Sequence, residues 1–306
     1  MTFDAWLDQR RHERAVAGLS RSLSPRSADV SPDASRIDLA GNDYLGLNRD
    51  PRVTRAAADA ALLWGAGAGA SRLVTGTLQL HTSLETRLAD FSGHASALVF
   101  SSGYLANLGA VAGLTDADTL IVSDAHVHAS LVDSCRLAKP GGLTVVAHND
   151  VEAVASALRN RSHDRALVLV ESVYSVLGDA APLAQLAEVT ASQGAVLIVD
   201  EAHAIGVSGI GGRGRLHELG LAARPDIVAT VALSKALGSQ GGAVLGSTAV
   251  VEHLVNSARP FIYDTGLAPA ATGAALAALA LIEADPDLPA RARAHAVALA
   301  TGVGVE

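Results

Sequence analysis

Seven short apolar runs, at 97–100, 119–122, 144–147, 166–170, 195–199, 227–231 and 243–245, punctuate the chain, most of them separated by stretches with helical spacing. A half-exposed strand alternates apolar and polar residues, so unbroken runs of this length mark strands buried on both faces. The pattern predicts an α/β fold, a mainly parallel sheet covered by helices. Asp50-Pro51 supplies an N-cap and first-turn proline for a helix through Trp64, closed by the glycine-alanine run 65–70. Thr82-Ser83-Leu84-Glu85 has capping-box spacing ahead of a helix to Phe91. The longest apolar stretch, 267–282, is broken by Pro269, Thr272 and Gly273 and reads as a buried helix, not a membrane span. That helix extends to Ala284, after which Asp285-Pro286-Asp287-Leu288-Pro289 breaks the pattern ahead of a short tail.

Composition narrows the partners. A chain of 306 residues with 49% hydrophobic and 18% charged residues has the makeup of a globular protein of one or two domains. Its formal charge of -8 offers no basic field for nucleic acid or an anionic membrane. The single cysteine, Cys135, excludes an internal disulfide and a clustered thiolate metal site, reads as a small buried hydrophobe, and fits a cytoplasmic location. Charged residues among the first eleven positions occupy the place of a signal peptide's apolar core, so no export is expected.

Candidate chemistry sits at the ends of the apolar runs. Lys235 lies in the small-residue loop Ser234-Lys235-Ala236-Leu237-Gly238-Ser239-Gln240-Gly241-Gly242. It reads either as a solvated turn lysine or as an amine held close to backbone and partly stripped of water, which suits covalent attachment of pyridoxal phosphate. Asp200 ends the run 195–199 and is followed by Glu201-Ala202-His203, where ligands of open α/β sheets bind. Asp200 could keep a pyridine nitrogen protonated and His203 could bond a ring hydroxyl; a strand-end cap and an Asp-His metal pair are the competing readings. Ser102-Gly103-Tyr104 opens a helix whose free amides suit a phosphate or simply make the turn. His126 and His128 precede another helix, and Glu171 to Asp179 carries hydroxyls after a further strand. No HExxH, GxSxG, GxGxxG or P-loop pattern surrounds these residues.

Taken in order, Asn42-Asp43-Tyr44-Leu45-Gly46-Leu47, Ser71-Arg72-Leu73-Val74-Thr75-Gly76, the Ser-Gly-Tyr turn, His128-Ala129-Ser130, the 171–179 segment, Asp200-Glu201-Ala202-His203 and the Lys235 loop cover nearly the whole chain. In this arrangement the sequence resembles the α-oxoamine synthases, fold-type I pyridoxal-phosphate enzymes that condense an amino acid with an acyl thioester and release carbon dioxide. The resemblance implies that Lys235 carries the cofactor, Asp200 pairs with its ring nitrogen, and His203 and Ser175 hold the ring-hydroxyl side. It implies that His128 stacks on the ring, that Gly103 and Tyr104 with Ser234 receive the phosphate, and that Arg21, Asn42 and His128 meet substrate. It also implies a homodimer, with the Ser71-Arg72 and Thr265 segments reaching across.

Phe261-Ile262-Tyr263-Asp264-Thr265 and the Ser-Gln-Gly-Gly form of the lysine loop point within the family to L-alanine and a pimeloyl thioester, on coenzyme A or a carrier protein, in biotin assembly. A glycine-using member such as glycine C-acetyltransferase, or a remnant that only binds the cofactor, are the alternatives. The expected organisation is an N-terminal helical segment over 1–45, a large cofactor-binding domain over 46–265, and over 266–306 a connecting helix and the start of a small domain. Two departures from the family pattern stand out. Ala232 replaces a phosphate-binding threonine, leaving Thr230 and Ser234 as the nearest hydroxyls, and Arg291 and Arg293 match no carboxylate-binding arginine of the small domain, which is expected to be largely missing.

Overall fold

The computed structural model describes residues 1–25 and 38–304, so part of the expected 1–45 segment and the last two residues lie outside the described residues. Two compact units are present, Met1–Gly41 and Asn42–Glu306. In the first, α1 (Phe3–Val16) starts at Thr2, whose hydroxyl accepts the amide of Ala5, and none of its residues is buried. Arg21 follows it, exposed.

The second unit contains helices α2 (Pro51–Trp64), α3 (Gln79–Ser92), α4 (Gly103–Gly113), α5 (Ala129–Ala138), α6 (Val151–Arg159), α7 (Leu183–Ser192), α8 (Arg215–Glu218), α9 (Thr248–Ser257), α10 (Arg259–Ile262), α11 (Pro269–Ala284) and α12 (Leu288–Val303). Each of the seven apolar runs is a strand: β1 (Ser96–Phe100), β2 (Thr119–Asp124), β3 (Gly142–Val146), β4 (Arg165–Glu171), β5 (Val196–Asp200), β6 (Ile227–Ala232) and β7 (Gly242–Gly246). They form one sheet in the order β1-β7-β6-β5-β4-β2-β3. β7 runs antiparallel to both its neighbours, β1 and β6, and the other pairs are parallel. The carboxyl ends of β2, β4, β5 and β6 therefore share one edge, where a ligand site of an open α/β sheet belongs.

Helices cover both faces of the strands other than β3, which is why those lack polar alternation, whereas the edge strand β3 departs from the expectation of burial on both faces: Leu143 and Val145 are exposed. Leu197 and Val199 of β5 join the core beneath α2, α3, α6, α7 and α11, whereas Ile198 packs with Ala106 and Ala110 of α4 and Leu131 of α5. Gly273 lets α11 approach α2 closely, because a Cβ there would lie 2.7 Å from that of Ala60. Among the described residues, no helix is long and apolar enough to cross a membrane.

Two boundaries differ from the sequence expectation. Helix α3 begins at Gln79, not after Thr82, because buried His81 supplies the cap: its Nδ1 accepts the Leu78 amide and its Nε2 meets the Leu267 carbonyl at 2.7 Å. The expected tail after Asp285 is instead the helix α12, in which Pro289 occupies the first turn, a position that needs no amide hydrogen.

Candidate functional site

A cavity of about 250 Å³ opens at the carboxyl ends of β4, β5 and β6, beside the N-terminus of α4. Its walls bring together Gly103, Tyr104, His128, Asp200, His203, Ser234 and Lys235, residues drawn from four separate segments of the sequence. They converge because each follows a strand ending at the same sheet edge or opens the helix after it.

Asn107, one turn into α4, organises this wall. Its Nδ2 donates to Asp200 Oδ2 at 2.7 Å and to Ser130 Oγ at 2.8 Å, while its Oδ1 accepts from Thr230 Oγ1 at 2.5 Å. Ionised Asp200 can only accept, which orients the amide. Ser130 Oγ, having accepted from Asn107, is left to donate to His128 Nδ1, 2.7 Å away, and the same nitrogen accepts the Ser130 amide at 3.2 Å. The ring of His128 is thereby fixed from its Nδ1 side. Asp200 Oδ1 accepts the Ala202 amide at 2.9 Å, so the carboxylate is held at both oxygens.

Asn107→Leu would strip partners from Ser130, Thr230 and Asp200 in a buried setting. It is expected to destabilise the protein by about 2–4 kcal/mol. Urea denaturation checks this, and a cost below about 0.5 kcal/mol would mean the network relaxes without it.

His203 faces the cavity from the other side. The Tyr44 hydroxyl lies 2.7 Å from its Nδ1 and donates to Asn42 Oδ1 at 3.2 Å, linking Asn42 to the site through a tyrosine. Burial, and next the charge of Lys235, hold the His203 pKa down at about 4, so the ring is neutral at pH 7. The Lys235 side chain makes no hydrogen bond or ion pair among the described residues. Burial lowers its pKa below the ordinary amine value against the pull of Asp200 and Glu171. A partly desolvated, unpaired amine is the form suited to nucleophilic attack.

Glu171 sits directly across the strand pairing from Asp200. The Ser175 amide reaches its Oε2 at 3.0 Å, and among the described residues its buried Oε1 has no partner within hydrogen-bond distance. Burial first, and then the Asp200 charge, push its pKa up to about 7. A folded pKa raised above the ordinary 4.5 means that stability is lost as pH climbs from there toward 7. Glu171→Gln is therefore expected to flatten the pH dependence and to be the more stable protein at about pH 8, by about 1–3 kcal/mol. Denaturation curves at acidic and mildly alkaline pH give the comparison; parallel pH slopes in both proteins would place the effect on another group.

At the α4 end, the first-turn amides of a helix have no acceptor within the helix and can receive a phosphate. Ser102 accepts the Leu105 amide at 3.1 Å, leaving its own hydroxyl proton to point elsewhere. Backbone packing here is tight, since a Cβ on Gly242 would strike Gly103 and one on Gly103 would lie 3.1 Å from Ala232 Cβ. Thr230 does not stand in for the missing hydroxyl at Ala232, because it is committed to Asn107. Ser102 and Ser234 remain as hydroxyl donors on the cavity wall.

Not every candidate converges. Ser175 is exposed and does not line the cavity; it touches the site only through its amide bond to Glu171. Arg21 lies in the Met1–Gly41 unit. Arg72 turns inward, donating to Glu85, to Thr77 Oγ1 and to the Val99 carbonyl, while neighbouring Ser71 forms an antiparallel bridge with Thr265. Asp200 and His203 are each engaged by neighbours within the chain, and among the described residues no group of three or more His, Cys, Asp or Glu is placed to hold a metal ion. Glu201 is buried away from the cavity, where its Oε1 accepts the amides of Arg215 and Leu216 at the start of α8. Tyr44, Ser130 and Glu171 lie in segments noted in the sequence but were given no role there, and Asn107 was not singled out. A lone amide in the otherwise apolar 103–113 helix was the one available signal.

Comparison with known proteins places the chain in a family. The model of the family "Aminotransferase class I and II" matches residues 34–301. The 8-amino-7-oxononanoate synthase of Mycobacterium bovis is 56% identical over 282 residues, covering 92% of this chain and 72% of that protein. A solved 8-amino-7-oxononanoate synthase from Francisella tularensis aligns with a TM-score of 0.72 at 30% identity, over 85% of this chain and 72% of that one. A structure of SPT with its PLP internal aldimine aligns with a TM-score of 0.81 at 33% identity, over 86% of this chain and 66% of that one, so the chain spans about two thirds of that protein's length. The chain belongs to the aminotransferase class I and II family, in the branch that holds the 8-amino-7-oxononanoate synthases.

Proposed function

We propose that the protein binds pyridoxal 5'-phosphate on Lys235 and condenses L-alanine with a pimeloyl thioester, releasing the thiol and carbon dioxide to form 8-amino-7-oxononanoate. The observation that carries this reading is the unpaired, partly desolvated Lys235 amine facing Asp200 across one cavity. The names of the related proteins support the choice of reaction.

The residues present fit the cofactor. Glu171 Oε1, buried and without a partner in the cavity wall, marks a place built for a further polar group. The α4 amides with Ser102 and Ser234 suit the phosphate, and Asp200 suits a protonated ring nitrogen. When bound, the cofactor supplies a conjugated electron sink for the electrons left at the amino-acid α-carbon.

Around that sink each residue has a defined task. Asp200, locked by Asn107 and Ala202, keeps its negative charge aimed into the cavity, where low dielectric strengthens the pairing. The Lys235 amine would hold the cofactor and, when free, would be the base that takes the α-proton, a task favoured by the burial that lowers its pKa. His128, oriented through Ser130, would stack on the cofactor ring, and neutral His203, bonded to Tyr44, would serve the ring-hydroxyl side. Asn42, bonded to Tyr44, meets the acyl substrate.

A homodimer is part of the proposal. Leu73, Val74 and Tyr263 are at least half exposed beside the paired Ser71 and Thr265 segments, an apolar surface that suits a second copy. Turnover of pimeloyl-coenzyme A with L-alanine and with glycine tests the reading. Alanine-dependent release of thiol and carbon dioxide is expected; preference for glycine, or cofactor binding without turnover, would contradict it.

A further inference from the structure

Just after β3, the imidazole of His148 lies between two carboxylates. Its Nδ1 is 3.0 Å from Asp124 Oδ1 and its Nε2 is 2.9 Å from Asp179 Oδ2. A carboxylate only accepts, and a neutral imidazole has a single N–H, so both contacts are hydrogen bonds only when the ring is an imidazolium. Asp124 ends β2, is buried, and is fixed by the amides of His126 and Asn149, each at 2.7 Å. Asp179 belongs to the connection between β4 and α7. Its carbonyl accepts the Tyr174 amide at 2.9 Å, and Val173 bridges to Ala180, so whatever holds Asp179 holds the whole turn.

We infer that His148 is a positioning residue: its doubly bonded imidazolium latches the β4–α7 turn, which contacts Glu171 through Ser175, onto the end of β2 and the segment leading to His128, and loss of its proton opens the latch. The titratable groups facing it are Asp124 from β2, His126 from the following turn, and Tyr174 and Asp179 from the latched turn. The His126 ring stacks on His148 at 4.3 Å and would oppose the charge if it protonated too; the Tyr174 ring packs edge-on at 4.4 Å. Burial pushes the Tyr174 phenol up, with the Asp124 charge adding to it, so it stays neutral. For His148 burial alone would lower the pKa, but the hydrogen bonds and charges of Asp124 and Asp179 outweigh it and the net direction is upward. A raised folded value means the latch acts fully below the ordinary histidine range and is lost as pH rises through the folded value. Asn149 Nδ2, 2.9 Å from Asp179 Oδ2, gives the turn a second tie that does not titrate.

The test is amide hydrogen exchange of 173–181 in the purified chain from about pH 5.5 to about pH 9, corrected for intrinsic exchange, with the His148 ring followed by NMR. Protection of the turn is expected to fall about tenfold as His148 loses its proton, while α4 stays protected. His148→Gln, which can donate to only one carboxylate, is expected to show the low level at every pH. Asp179→Asn, a half-exposed change that spares the fold, is expected to remove the step and lower the His148 titration. A pH-independent turn in the natural chain, or a step surviving in either variant, overturns the latch. The latch rests on the proposed function only for its effect on turnover, where kcat is expected to fall across the same pH range in the natural chain and not in His148→Gln. A loop step with no matching step in kcat overturns the positioning role, and a chain without turnover leaves the exchange result to decide the latch.

Discussion

Lys235→Ala is expected to lower turnover by about four orders of magnitude while leaving the fold intact. The side chain makes no hydrogen bond or ion pair among the described residues, and its charge is held in a partly desolvated wall, so removing it costs no structural contact of that kind. Urea denaturation of the variant is expected to match the natural chain within about 1 kcal/mol. Turnover kinetics run beside denaturation separate the two outcomes. Large destabilisation together with lost activity would show that Lys235 holds the loop rather than the chemistry.

Asp200→Asn is expected to cost at least about a hundredfold in kcat/KM, or about 3 kcal/mol of transition-state stabilisation. The amide keeps the shape of the carboxylate but loses its charge, and it sets one NH2 group against the Asn107 amide that now donates to Asp200 Oδ2. A second readout follows from the pairing of strands. Glu171 is pushed up to about 7 partly by the Asp200 charge, so its pKa is expected to move back toward the ordinary carboxyl range in the variant. Isotope-edited infrared or carbon NMR titration of Glu171 reports that movement. A Glu171 titration blind to Asp200→Asn would assign its shift to burial alone.

Six of the strands were readable because burial on both faces removes polar alternation; the seventh, β3, is an apolar run in the same sheet but lies at its edge with Leu143 and Val145 exposed. Asp200 and Lys235 were readable because chemistry at a strand end is a positional signal within a few residues. The links between segments were not. Asn107 meets Asp200 across 93 positions and Thr230 across 123, and Tyr44 meets His203 across 159; no local period encodes such pairs. The start of α3 was misplaced because a histidine took the capping role normally given to a hydroxyl, and α12 was missed because Pro289 marks a helix start as readily as a break. Ser175 illustrates the reverse case, a hydroxyl in a motif whose amide, not its side chain, reaches the site.

The most direct measurement is a visible-absorbance titration of the purified chain and its Lys235→Ala variant with pyridoxal phosphate, followed by L-alanine and then glycine. A lysine-dependent band that the natural chain develops, that the variant lacks, and that alanine perturbs more than glycine is the expected result. A band that persists without Lys235, or no band at all, would contradict the assignment of the cavity as the cofactor site.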